Sequence, residues 1–273
     1  MGIDIDGYRF LTASHRDGVS FQRTAMLGHQ NVTGIGAAVK DSGLRHPALE
    51  DLVEGGFADP LFSAMGADQI VSLDASGYED ASVVFDLNGE LPEHLQRRFS
   101  AVLDGGTIEH VFDVKQALLN AMQLVEVGGH LLLITPTSGS SGHGFYQFSP
   151  ELFWRVLSPD NGFVIERFLL KDRSTRRWYE VADPEVLGRR VEFRTKGTSY
   201  LYVCARRNHD VPLFESVPQQ SDYTRAWTHG GQGSLRNVPP WLRRTYGQVV
   251  TRRNEVFGTY RFDREAFRPL RSP

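Results

Sequence analysis

Five stretches of the 273-residue chain place residues able to bind or react at the ends of apolar runs or in flexible loops. They are Gly28-His29-Gln30, preceded by Leu27; Asp74; Asp86-Leu87; the run from Asp104 through Gly105, Gly106 and Glu109 to His110; and a loop over residues 137–148 holding His143, Phe145, Tyr146 and Gln147. A carboxylate can accept hydrogen bonds from both hydroxyls of a ribose, which suits Asp74. A turn-forming Asp in Asp74-Ala75-Ser76-Gly77 explains the same residue equally well. Asp86 reads as an acceptor for the exocyclic amine of an adenine lying along Leu87, or as a turn cap. An imidazole titrates near pH 6.5 and can take a proton from a reacting hydroxyl. His110 and His143 are the two candidates, each with the alternative of an ordinary structural or loop histidine.

The elements that must position these groups follow from hydrophobic periodicity. Short apolar runs at 24–28, 69–74, 81–86 and 99–104 read as strands, the last three ending in Asp. Apolar residues at 114, 117, 118, 121, 122 and 125 recur at helical spacing, and Gly128-Gly129 reads as the stop of that helix. The run 130–136 is apolar throughout, as a strand inside a parallel sheet must be. Ser149-Pro150 announces a helix start, and 163–170 and 198–205 read as the last two strands. Strands alternating with helices predict an α/β fold, a doubly wound and mostly parallel seven-stranded sheet with an antiparallel edge strand. Residues 1–206 are expected to form one domain, with a basic insertion over about 171–196. Residues 207–273, with scattered aromatics at Trp227, Trp241, Tyr246, Phe257 and Phe267, are expected to pack on it as an irregular extension.

Two of these runs carry a resemblance. Phe-Ser-Ala-Val-Leu-Asp-Gly-Gly-Thr-Ile-Glu-His-Val-Phe at 99–112 resembles the fourth-strand motif of class I S-adenosylmethionine (SAM) dependent methyltransferases. Leu-Val-Glu-Val-Gly-Gly-His-Leu-Leu-Leu-Ile-Thr-Pro at 124–136 is similar to that family's approach to the fifth strand. The resemblance spans roughly residues 23–206. It implies a Rossmann-like fold and an enzyme that transfers a methyl group from SAM, leaving S-adenosyl-L-homocysteine. The acceptor it implies is a small polar metabolite methylated on oxygen, with N-methylation as the alternative. Leu27, Gly28, His29, Gln30, Asp74, Asp86, Leu87, Asp104, Gly105 and Gly106 would hold the cofactor. Glu109, Phe145, Tyr146 and Gln147 would face the acceptor, with His110 or His143 as base. The departure lies after the first strand, where Leu27-Gly28-His29-Gln30 replaces the family's Gly-rich loop, as in a bacterial branch of the family. That loss motivates a rival reading as a non-catalytic SAM-fold binding or regulatory protein. A nicotinamide oxidoreductase would need a Gly-x-Gly-x-x-Gly turn, which is absent.

Composition narrows the partners. A net charge of −3 gives no overall basic field, so no nucleic acid is expected. Acidic residues at 4 and 6 do not suit a secretory leader, and no apolar run reaches about 18 residues, so a cytoplasmic protein with no membrane partner is expected. Oligomeric state is not legible. The single cysteine, Cys204, lies in an apolar run and is expected to be a buried, inert thiol. The basic insertion reads as a solvated hairpin whose charges its own acids balance, in preference to a phosphate grip. Some quinone-pathway O-methyltransferases that resemble the chain at Glu109-His110 bind a divalent metal there. Glu109, His110 and Asp104 alone make an incomplete donor set, so no metal site is expected.

Overall fold

The computed structural model describes residues 2–228, 261–263 and 265–273. Trp241, Tyr246 and Phe257 of the expected extension lie outside the described residues. A nine-stranded sheet forms the centre: β1 (Arg23–Leu27), β2 (Gln69–Asp74), β3 (Val83–Val84), β4 (Phe99–Asp104), β5 (Val125–Ser138), β6 (Phe163–Asp172), β7 (Arg177–Val181), β8 (Ser199–Arg207) and β9 (Phe267–Leu270). Their spatial order is β9-β7-β6-β8-β5-β4-β1-β2-β3. The five strands β1 to β5 pair parallel to one another, and β8 runs antiparallel to both β5 and β6. From β1 the chain proceeds outward through β2 and β3, then returns past β1 to β4 and β5. The order therefore reverses between β1 and β4.

Two expectations about the sheet are corrected. Antiparallel pairing is not confined to the edge: β8 is internal, wedged between β5 and β6 with a ladder on each side, and the antiparallel pairing continues through β6, β7 and the edge strand β9. The sheet exceeds seven strands because the 171–196 insertion supplies β7 as a hairpin partner of β6, and Phe267–Leu270 pairs with β7. The expectation that the insertion's own acids balance its cations is corrected: Lys171 pairs with Asp6, Arg173 with Asp4, Arg189 with Asp263 and Glu265, and Arg190 with Asp222 at 2.6 Å, while Asp183 and Glu185 pair with Arg155, because the hairpin packs against elements distant in sequence.

Both sheet faces are covered, which explains the uniformly apolar strands. Ala25, Leu27, Val102, Leu131 and Leu133 point into one core, while Met26, Ala101, Leu103 and Leu132 point into the other. The second core is roofed by α1 (Ile5–Arg16), α2 (Gly36–Asp41) and α3 (Asp59–Ala64). Helix α1 starts at Asp4, whose carboxylate accepts from the amides of Asp6 and Gly7, and it buries Phe10 and Leu11. Just before it, Gly2–Ile3 pairs in parallel with Asn31–Val32, drawing the N-terminal segment across the end of β1. The first core is roofed by α4 (Val114–Leu124) and α5 (Pro150–Val156), the latter capped by Ser149 Oγ on the amide of Glu151 at 3.1 Å.

The predicted stop of α4 also moves. The helix ends at Leu124 and the chain is already in β5 at Val125, with a register shift against β4 across Gly128 and Gly129. Arg207 on β8 donates to the carbonyls of Met122 and Val125, capping the helix from outside. The glycines serve the bulge, with Gly128 at φ +90°.

Candidate functional site

In an open parallel sheet, the crevice outside the strands' carboxyl ends at the reversal point is where ligands bind. Here that crevice lies between β1 and β4. A cavity of about 460 Å³ opens there, lined among others by Asn31, Glu79, Gly105, Gly106, Glu109 and His143. Its opposite wall comes from the N-terminal segment, from the turn after β6 and from β8, through Asp4, Arg173, Tyr200 and Tyr202. A few hundred Å³ suits one small molecule.

The turn after β1 is filled from within. Gln30 is fully buried and donates through Nε2 to the Leu27 carbonyl at 2.6 Å. Thr107 Oγ1 donates to the same carbonyl at 2.6 Å, so the ends of β1 and β4 are tied together. Gln30 also packs on Gly105, where any Cβ would overlap its Oε1. His29 is buried and stacked on Phe57, its ring nitrogens 2.6 Å from the Glu79 carbonyl and 2.8 Å from the Asp59 carboxylate. Gly28 adopts φ +71°, a conformation that favours glycine.

The predicted cofactor carboxylates have separate fates. Asp74 ends β2 half-buried, its Oδ1 accepting from the Ser76 amide at 3.0 Å. Exposed Asp86 accepts from the amide and side chain of Asn88, which hold its carboxyl below the usual range. Leu87 is corrected from ring wall to core. Asn120 on α4 donates to the carbonyls of Leu87 and Gly89, and the Leu87 side chain turns inward to pack in the first core. Leu27 likewise lies in that core. Asp104 is also reassigned: fully buried, it accepts from the amides of Thr107 and Ile108 and caps its own turn. Burial pushes its pKa up, to about 7.

The turn that Asp104 caps presents Glu109 and His110, and the loop after β5 folds back onto it. The amides of Phe145 and Tyr146 donate to the Glu109 carbonyl at 2.8 and 3.2 Å, and Tyr146 Oη donates to the Phe112 carbonyl at 2.7 Å. Gly144, at φ +69°, allows this approach, since a Cβ there would sit 2.7 Å from the Glu109 carbonyl oxygen. Gln147 acts within the loop, accepting from the Ser140 amide. Phe145 is exposed, edge-on to Phe112.

The result is a convergence of Glu109, His110 and His143. The Glu109 side chain is fully buried, with Oε2 accepting from Thr135 Oγ1 at 3.4 Å and Oε1 3.5 Å from His143 Nε2. Burial, reinforced by Asp104, raises its pKa to about 8. The rings of His110 and His143 stand 4.8 Å apart edge to face. Burial and then His143 lower the pKa of His110. Sequence reasoning named these three residues, and Arg173 only as one charge of the basic insertion, but not Asp4, Asn31, Glu79, Tyr200 and Tyr202 on the cavity wall. Their placement depends on long-range pairing of the N-terminal segment and β8. Only Asp4, a capping residue ahead of an apolar helical pattern, carried a local signal.

No family model matches the sequence, and no curated protein matches it. Among solved structures, the chain is similar to the 1,6-didemethyltoxoflavin-N1-methyltransferase of Burkholderia thailandensis, determined with 1,6-didemethyltoxoflavin and S-adenosylhomocysteine bound. The identity is 14%, covering 74% of this chain and 78% of that chain, with a TM-score of 0.44. It is similar to a SAM-dependent methyltransferase from Mesorhizobium loti at 16% identity, over 72% of this chain and 98% of that one, with a TM-score of 0.41. It is also similar to the branched-chain polyamine synthase of Thermus thermophilus, in complex with N4-aminopropylspermidine and 5′-methylthioadenosine, at 14% identity, over 78% and 60% of the two chains, with a TM-score of 0.39.

Proposed function

We propose that the protein is a SAM-dependent methyltransferase that methylates a hydroxyl of a small polar metabolite. The observation that carries this reading is the cavity at the β1/β4 reversal point, where the Gly105-Gly106 backbone, Glu109 and His143 line one wall. The resemblance of residues 99–112 and 124–136 to the family's motifs falls on that wall.

In this reading Asp74 binds the ribose hydroxyls, Asp86 the adenine amine, and the backbone at Gly105 and Gly106 receives the methionine part. The acceptor lies toward His143 and Arg173. Transfer is an in-line displacement: an acceptor oxygen lone pair forms the new O–CH3 bond as the S–CH3 bond breaks, giving S-adenosylhomocysteine. The hydroxyl proton passes to His110 or His143. A lowered pKa keeps His110 neutral, and so able to accept it, at neutral pH.

Calorimetry with SAM and S-adenosylhomocysteine tests the cofactor. Binding that weakens ten- to a hundredfold in Asp74→Ala is expected, the loss of hydrogen bonds to a charged acceptor. No binding at millimolar ligand, or an Asp74→Ala variant with unchanged affinity, would overturn it. The buried Gln30 side chain favours a second reading, a SAM-fold protein without turnover, because it occupies the turn at which the methionine part would lie. S-Adenosylhomocysteine retained through purification would count against that reading.

A further inference from the structure

We infer that Glu109, His110 and His143 form a binding site for a divalent transition-metal ion. One carboxylate and two imidazoles are the donor set that zinc takes in open, three-ligand sites, and that ferrous iron takes as a facial triad. The donor atoms of the three residues lie within 4.8 Å of one another. Ligands 2.0–2.1 Å from a zinc ion stand about 3.3 Å apart. The Glu109–His143 pair is already at 3.5 Å, and only the His110 ring must close in.

A second observation is independent of the clustering. Glu109 Oε1 is wholly buried, accepts no hydrogen bond among the described residues, and is aimed at His143 Nε2. A buried carboxylate oxygen without a donor is costly, and a cation is the partner that removes the cost. Thr135 holds the other oxygen, the kind of support that orients a metal-bound carboxylate. His110 and His143 are both exposed at their outer edges, so an ion can enter. The donor set that Asp104 left incomplete in the sequence is completed by His143, 33 residues downstream of His110.

What the ion does rests on the methyltransferase reading. Bound to the acceptor's oxygen from an open position, it lowers that hydroxyl's pKa and the proton leaves to solvent. The oxygen then attacks the methyl carbon as the sulfur–carbon bond breaks. In this arrangement the two imidazoles are ligands and neither is the base.

Zinc titration of the full chain by calorimetry, with cobalt absorption as a coordination signature, is the test. One equivalent of zinc is expected, with intense cobalt d–d bands of low coordination number. His110→Ala, His143→Ala and Glu109→Gln should each weaken zinc at least tenfold. Both histidines are exposed, so their variants remain folded even if Glu109→Gln does not. Absence of stoichiometric zinc, or unchanged affinity in the His110→Ala/His143→Ala double variant, would overturn the site. S-Adenosylhomocysteine binding, measured separately and without metal, distinguishes the two ideas: a chain that binds S-adenosylhomocysteine but fails to take up zinc defeats the metal site alone, and one that takes up zinc but fails to bind S-adenosylhomocysteine defeats the methyltransferase reading alone.

Discussion

Gln30 lays its carboxamide directly on the backbone of Gly105, joining the turn after β1 to the turn after β4. A methyl group at 105 must displace Gln30 and break its bond to Leu27. Gly105→Ala is expected to cost about 1–3 kcal/mol in chemical denaturation, the usual range for overpacking. Gln30→Ala should make the same substitution nearly neutral. Additive losses in the double variant would show that the contact carries no strain.

Asp104 predicts how stability depends on pH. Its folded-state pKa is raised from an ordinary 3.8 to about 7 by burial. The folded chain keeps a proton that the unfolded chain has released, so this stabilisation is complete below about pH 4 and is lost as pH rises through about 7. The loss is on the order of 4 kcal/mol. Asp104→Asn retains the acceptor for the Thr107 and Ile108 amides and removes the titration. Thermal melts of the variant should therefore be flatter than wild type between pH 4 and 7.

His110 and His143 share one task in either account of the acceptor side. Each alanine variant is expected to lower kcat by 10²–10⁴, and the double variant should lose little more than the worse single one, as groups acting as a unit do. Multiplied losses in single-turnover assays would mean that they act separately.

Arg207 is buried, donating to the Met122 and Val125 carbonyls and to Asp210 at 2.8 Å. Arg207→Met leaves those carbonyls without a donor and should cost about 2–3 kcal/mol in urea unfolding. A loss below about 0.5 kcal/mol would show that Gly128-Gly129 can end α4 unaided.

Cys204 is nearly fully buried, and burial pushes its thiol up to about 12. The thiolate that reacts with alkylating agents is therefore scarce at pH 8. Iodoacetamide should leave the folded protein unmodified over hours and label one site per chain in 6 M guanidinium. Rapid native labelling would mean that β8 opens.

Where periodicity and capping agreed, the sequence determined the outcome by itself. Apolar runs ending in Asp became β2 and β4, helical spacing from Val114 became α4, and Ser149-Pro150 started α5, because periodicity and capping act within a few residues. The types of residue at the candidate site were legible for the same reason, since each sits at the end of such a run. Tertiary structure alone decided which of them meet. Leu87 went to the core because Asn120 fastens its loop to α4, and Asp104 was consumed by its own turn. The end of α4 was set by Arg207 from a strand more than 80 residues away. His143 reached Glu109 because β5 runs beside β4, so the loop leaving β5 starts above the turn leaving β4. Such meetings depend on strand order, a property of the whole sheet that no window of neighbouring residues contains.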